Sequence, residues 1–94
     1  MAVFIINDAN WAQIKDRMLS SKTIFIEHLK LMLDNDIVGQ VCIYLPASVT
    51  IKERHQVHKY SKKNQISGVS ATHNGKRVMK IVLESAYVKE LLLK

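Results

Sequence analysis

Hydrophobic positions recur with helical or strand period along the whole chain, and no linker, repeat or low-complexity tract divides it. Trp11, Ile14 and Met18 stand at i, i+3 and i+7, so they predict a helix from an Asn7 or Asp8 cap to about Leu19. Ser20 and Ser21 offer the cap of a second helix to about Leu33, with Phe25, Leu29 and Met32 on one stripe and Ile26 and Leu33 beside it. Asp34-Asn35-Asp36 ends that helix. Gln40 to Leu45 is β-branched and aromatic, which predicts a strand, and Pro46 stops it. Thr50-Ile51-Lys52-Glu53 matches a capping box opening a helix that runs to about Lys63. Gln65 to Thr72 and Lys76 to Leu83 read as two strands joined through His73-Asn74-Gly75, since Asn-Gly between β-like runs is a strong hairpin signal. Ser85 is the expected cap of a last helix, with Val88, Leu91 and Leu92 as its buried edge.

This order predicts an α+β fold: a small three-stranded, mainly antiparallel sheet with helices packed on one face. Ala2 to Ile6 is either a fourth strand or a hydrophobic lead-in. Ninety-four residues, nearly half of them hydrophobic, suffice for one core and no second. Residues 1–94 therefore read as a single domain, with a helical extension at about 1–30. Leu29, Val57, Val69, Val78 and Ile81 are the expected buried positions, and Tyr60 is assigned to the core. Cys42, inside the run Val41 to Leu45, reads as a buried, inert thiol. The opening Met1 to Ile6 lacks the basic start of a signal peptide, and charges interrupt every long apolar stretch. The expectation is an intracellular protein, cytoplasmic or nuclear, without a membrane partner.

Charge changes the picture, because it is not spread evenly. From Lys52 to Lys80 there are eight cations, Lys52, Arg54, Lys59, Lys62, Lys63, Lys76, Arg77 and Lys80, against Glu53 alone, a net +7. The whole chain is +6, so the remaining residues sum to −1. At about 100° per residue, Arg54, His58, Lys62, His55, Lys59, Lys52 and Lys63 fall within about 180° of the helix that starts at Thr50. Val57, Tyr60 and Ser61 occupy the opposite side. A one-sign face without i, i+4 carboxylates adds nothing to helix stability, whereas a polyanion would account for it.

Arg54-His55-Gln56-Val57-His58 places an arginine and a histidine with three residues between them at the start of a capped helix. Ile66-Ser67-Gly68-Val69-Ser70 follows, then Gly75, Lys76, Arg77 and a β-run. This pattern resembles the R-three-H domain, over residues 42 to 83, or 31 to 83 with the preceding helix end and strand. Gln56 stands where the family carries an aliphatic residue, and Ser61 where it carries a small alanine. The resemblance implies sequence-tolerant binding of single-stranded RNA or DNA on a three-stranded sheet with helices on one side. It gives Arg54 and His58 the role of the signature pair and Arg77 that of the arginine opening the last strand.

The chemistry of these side chains fits that role. A guanidinium fork matches phosphate bidentately, an imidazole one turn away can donate or stack, and Lys59, Lys62, Lys63, Lys76 and Lys80 add sequence-blind attraction. His55 joins the same face, and His73 is expected at the exposed hairpin tip. No cofactor and no catalysis are expected: Cys42 is not in a metal-ligand motif, and no carboxylate cluster offers magnesium a seat. Two rival readings remain. One is a protein-interaction adaptor or homodimer using the apolar N-terminal region with Phe4 and Trp11. The other is a small ribonuclease with His55 and His58 as acid and base.

Overall fold

The computed structural model describes residues 1–61 and 66–93. The elements run β1 (Ala2–Ile5), α1 (Asp8–Met18), α2 (Lys22–Met32), β2 (Val41–Tyr44), α3 (Ile51–Ser61), β3 (Ile66–His73), β4 (Lys76–Leu83) and α4 (Ser85–Leu92). The class is α+β, as the pattern indicates. The N-terminal segment is a true strand: β1 pairs parallel with β2, so the sheet has four strands in the order β1-β2-β4-β3. A parallel pair cannot be joined by a hairpin, and α1 and α2 form the crossover.

Short-range chemistry starts most of the helices. The Asn7 side chain accepts from the Asn10 amide at 2.8 Å, and Ser21 Oγ accepts from the Ile24 amide at 3.1 Å. Ser20 does not cap α2; its hydroxyl donates to the Arg17 carbonyl at 2.6 Å and closes α1 instead. At α3 the capping box is complete, with Glu53 N donating to Thr50 Oγ1 at 3.1 Å and Thr50 N to Glu53 Oε1 at 2.9 Å. The start of α4 differs from expectation. Glu84 holds the cap position without a side-chain bond, and Ser85 is already the first helical residue.

The core lies between the four helices and one face of the sheet. Val41, Ile43, Leu45, Ile66, Met79, Ile81 and Leu83 meet Trp11, Met18, Phe25, Leu29, Val57, Val88 and Leu91 there. The N-terminal apolar side chains thus complete the core: Trp11 is only 2% exposed. Cys42 is buried, its sulfur 3.7 Å from that of Met1. Tyr60 packs on Phe25 with ring centroids 5.8 Å apart and donates its hydroxyl to the Leu19 carbonyl at 3.2 Å, fixing α3 to α1 and α2.

Two expected core positions lie on the other face. Val69 is 40% exposed and Val78 half-buried, whereas Leu29, Val57 and Ile81 are fully buried. The cause is strand parity. Met79, Ile81 and Leu83 face the helices, so Val78, Lys80 and Val82 face away, and Val69 pairs with Lys80. Apolar residues occupy both phases of β4, so periodicity alone does not say which phase is inside.

Candidate nucleic-acid interface

Helix α3 presents the expected two-sided wheel. Val57 and Ser61 are buried against the sheet, Tyr60 is half-buried, and Lys52, Arg54, His55, His58 and Lys59 are exposed. Gln56, at the boundary, is half-buried with its amide 3.5 Å from the Tyr60 hydroxyl, which is how a polar residue is tolerated there. Lys62 and Lys63 lie outside the described residues.

The hairpin brings the second half of the site to this helix. Asn74 and Gly75 both have positive φ, 51° and 74°, the backbone of a two-residue type I′ turn. That turn fixes the register His73↔Lys76, Thr72↔Arg77, Ala71↔Val78 and Ser70↔Met79. His73 is consequently the last residue of β3, not part of the turn. It is half-buried, with its ring 5.4 Å from that of Tyr44 on the face away from the helices. Alternation places Arg77 on the helix-bearing face and its neighbours Lys76 and Lys80 on the opposite one.

Arg54 and Arg77 come together. Both line a shallow crease with Pro46, Ala47, Val49, Val78 and Met79, although they are far apart in sequence and belong to different elements. Both are exposed, and the Arg77 guanidinium donates to Ser70 Oγ at 3.4 Å, which inclines it along β3. One turn along α3, the His58 imidazole rests on Gly68. A methyl group built on Gly68 would stand 3.1 Å from His58 Nδ1 and 2.8 Å from the Met79 methyl. The missing side chain is what lets α3 approach β3 so closely. Arg54, His58 and Arg77 therefore form one contiguous exposed group, while His55 and Lys59 lie further round the helix and Lys76 and Lys80 beyond the hairpin.

No acid among the described residues neutralises this group. Among the described residues no carboxylate pairs with Arg54, His55, His58, Lys59, Lys76 or Arg77. The one acid of the segment, Glu53, faces the opposite way. It accepts from the Thr50 amide, from Trp11 Nε1 at 3.4 Å and from Lys15 Nζ at 3.3 Å. Those donors, Thr50 foremost, hold its carboxyl below the ordinary value of 4.5 against the opposing pull of burial. So Glu53 is consumed in joining α3 to α1. The cations are left over.

Neither His55 nor His58 has a hydrogen-bond partner among the described residues, so no group orients one as base for the other. No three His, Cys, Asp or Glu side chains among the described residues gather there as a metal would require. No described helix is long and apolar enough to cross a membrane. Gly68, Ser70 and the crease-forming turn Pro46 to Val49 are not legible as site residues from composition. Once Asn74-Gly75 is taken as a two-residue turn, however, counting back along β3 puts Ser70 diagonally beside Arg77. No protein-family model, curated protein or solved structure matches the chain.

Proposed function

We propose that this protein binds single-stranded nucleic acid, with little sequence preference, through the face formed by α3 and the β3–β4 hairpin. The observation that carries the reading is the convergence of Arg54 and Arg77 in one exposed crease, with His58 beside them and no acid in reach among the described residues. Two guanidinium forks presented together without carboxylates suit adjacent phosphates, and their mutual repulsion is relieved only when an anion arrives. His55 and Lys59 extend the positive field along the helix, and Lys62 and Lys63 add to the charge of the segment. Lys76 and Lys80 extend it across the hairpin. The resemblance to the R-three-H domain points the same way, because its signature arginine and histidine fall on Arg54 and His58 and its strand arginine on Arg77.

Single strands are favoured over duplex because the basic helix is docked on the sheet through Val57 and Ser61 and does not stand clear to enter a groove. The reading is tested by titrating the protein with a single-stranded oligonucleotide and its duplex at several salt concentrations. Single strands should bind more tightly than duplex, with affinity falling steeply as salt rises. Negligible affinity for single strands at low salt would hand the basic face to an acidic protein partner.

A further inference from the structure

The face of the sheet turned away from the helices is not an ordinary wet face. A sheet covered on one side normally alternates apolar-in and polar-out. Here the outward phase carries Val3 and Ile5 on β1, Tyr44 on β2, Val78 and Val82 on β4, and Val69 on β3. Val3 and Ile5 are 50% and 57% exposed. Ile5, Tyr44, Lys80 and Val69 form one row across all four strands, and the Lys80 ammonium lies 5.6 Å from the centre of the Tyr44 ring. The half-buried rings of Tyr44 and His73 are 5.4 Å apart, inclined by 37°. Beside His73 a cleft of about 240 Å³ opens, lined by Ile5, Asp8, Pro46, Lys76 and Val78 among others. The Asp8 carboxylate is already engaged by the Ser48 hydroxyl at 2.6 Å.

Size and charge narrow the occupant. Strand spacing of about 4.8 Å and rise of about 3.3 Å per residue give this face roughly 400–500 Å², short of the about 800 Å² per partner of a stable interface, so a second copy seated here alone is undersized. The cleft is smaller than the about 300–1,000 Å³ of a site for a drug-sized ligand, and suits a single flat ring. Rings, a cleft of that size, Lys76 in its lining and Lys80 over the Tyr44 ring match nucleobases attached to phosphates. The route is short, because consecutive residues of β4, Lys76 and Arg77, project to opposite faces beside the hairpin turn.

Resting on the function proposed above, we infer that Tyr44, His73 and the adjoining cleft are a stacking surface for one or two bases of the same single strand, which passes over the hairpin from the Arg54–Arg77 crease. The experiment compares a ten-nucleotide deoxythymidine strand with an abasic strand of equal length and charge, for wild type, Tyr44→Leu, Tyr44→Phe, Val69→Ser and Arg54→Ala. Stacking on one residue corresponds to about 5- to 150-fold in affinity. Tyr44→Leu should therefore lose within that range on the base-bearing strand and less than twofold on the abasic one. Tyr44→Phe keeps a ring and should stay near wild type. Val69→Ser, at an exposed position, should lose severalfold on the base-bearing strand alone, and serves should Tyr44→Leu fail to fold. Equal affinities for wild type, Tyr44→Leu and Val69→Ser, with Arg54→Ala impaired, would overturn the stacking surface and leave the phosphate face standing. Unimpaired binding by every variant, or no binding by wild type, would remove both. A shift from dimer to monomer in Val69→Ser by sedimentation would assign the face to self-association and overturn the inference.

Discussion

Replacing Ser61 by alanine should make the protein more stable, which is unusual for a substitution at a buried position. Ser61 is on the inward side of α3, 2% exposed, and its hydroxyl has no hydrogen-bond partner among the described residues. A buried donor left unsatisfied costs about 1–3 kcal/mol, and alanine removes that group while keeping the β-carbon that fills the site. Helix propensity adds about 0.5 kcal/mol in the same direction. Against this stands a void of one oxygen atom, too small for a water and costing a few tenths of a kcal/mol in dispersion, by the order of magnitude of about 24 cal/mol per Å³ of cavity. The gain wins: about 1–2 kcal/mol, or roughly 4–8 °C in thermal midpoint per kcal/mol for a domain of this size. Urea unfolding followed by circular dichroism measures it, with Ser61→Val as a contrast that overfills the same space and should destabilise by about 1–3 kcal/mol. An unchanged or lowered midpoint for Ser61→Ala would refute the reasoning, and would mean the hydroxyl finds a partner in solution.

Other perturbations follow from the same packing. Glu53 has a depressed folded-state pKa, so its contribution is present above its unfolded value, near 4.5, and is lost as pH falls through the folded value. The stability gap between wild type and Glu53→Gln should therefore be open at pH 7 and narrow progressively once pH falls below about 4.5; a gap of constant width throughout acid titration would show that the carboxylate charge is not what ties α3 to α1. Gly68→Ala puts a methyl 2.8 Å from the Met79 methyl and 3.1 Å from His58 Nδ1. The Met79 contact is the closer and must give first, through the flexible end of a buried side chain, while the exposed His58 shifts outward by a few tenths of an ångström. The stability loss should be about 1–3 kcal/mol, read with a shifted His58 resonance and weaker single-strand binding. Ile81→Ala should destabilise by about 2–5 kcal/mol, whereas Val69→Ala, on the open face, should cost about 1 kcal/mol or less. Equal losses would reverse the assignment of strand faces.

Much of this molecule is legible in its sequence because the signals are local. Asn7, Ser21 and the Thr50–Glu53 box cap their helices within three residues, and Asn74-Gly75 sets the hairpin by its own backbone preference. The basic half of α3 follows from the 100° wheel alone. What the sequence hides depends on the meeting of distant segments. The parallel pairing of β1 with β2 spans two helices, and the phase of β4 is ambiguous because Val78 and Val82 are as apolar as Met79 and Ile81. The local signal assigns His73 to the turn, yet a two-residue turn leaves it in the strand, where it meets Tyr44. The convergence of Arg54 with Arg77 requires the close approach of α3 to β3 that Gly68 permits, and no spacing along the chain encodes it.

Whether Arg54 and Arg77 act as one phosphate-binding face is decided by the salt dependence of the double variant Arg54→Gln/Arg77→Gln. Removing one cation that neutralises a phosphate of a single strand should lower the slope of log affinity against log salt by about 0.7, so removing two should lower it by about 1.4. That reduction is expected, together with at least tenfold weaker binding at low salt and an unchanged circular dichroism spectrum. A folded double variant with the wild-type slope would contradict a shared phosphate-binding face.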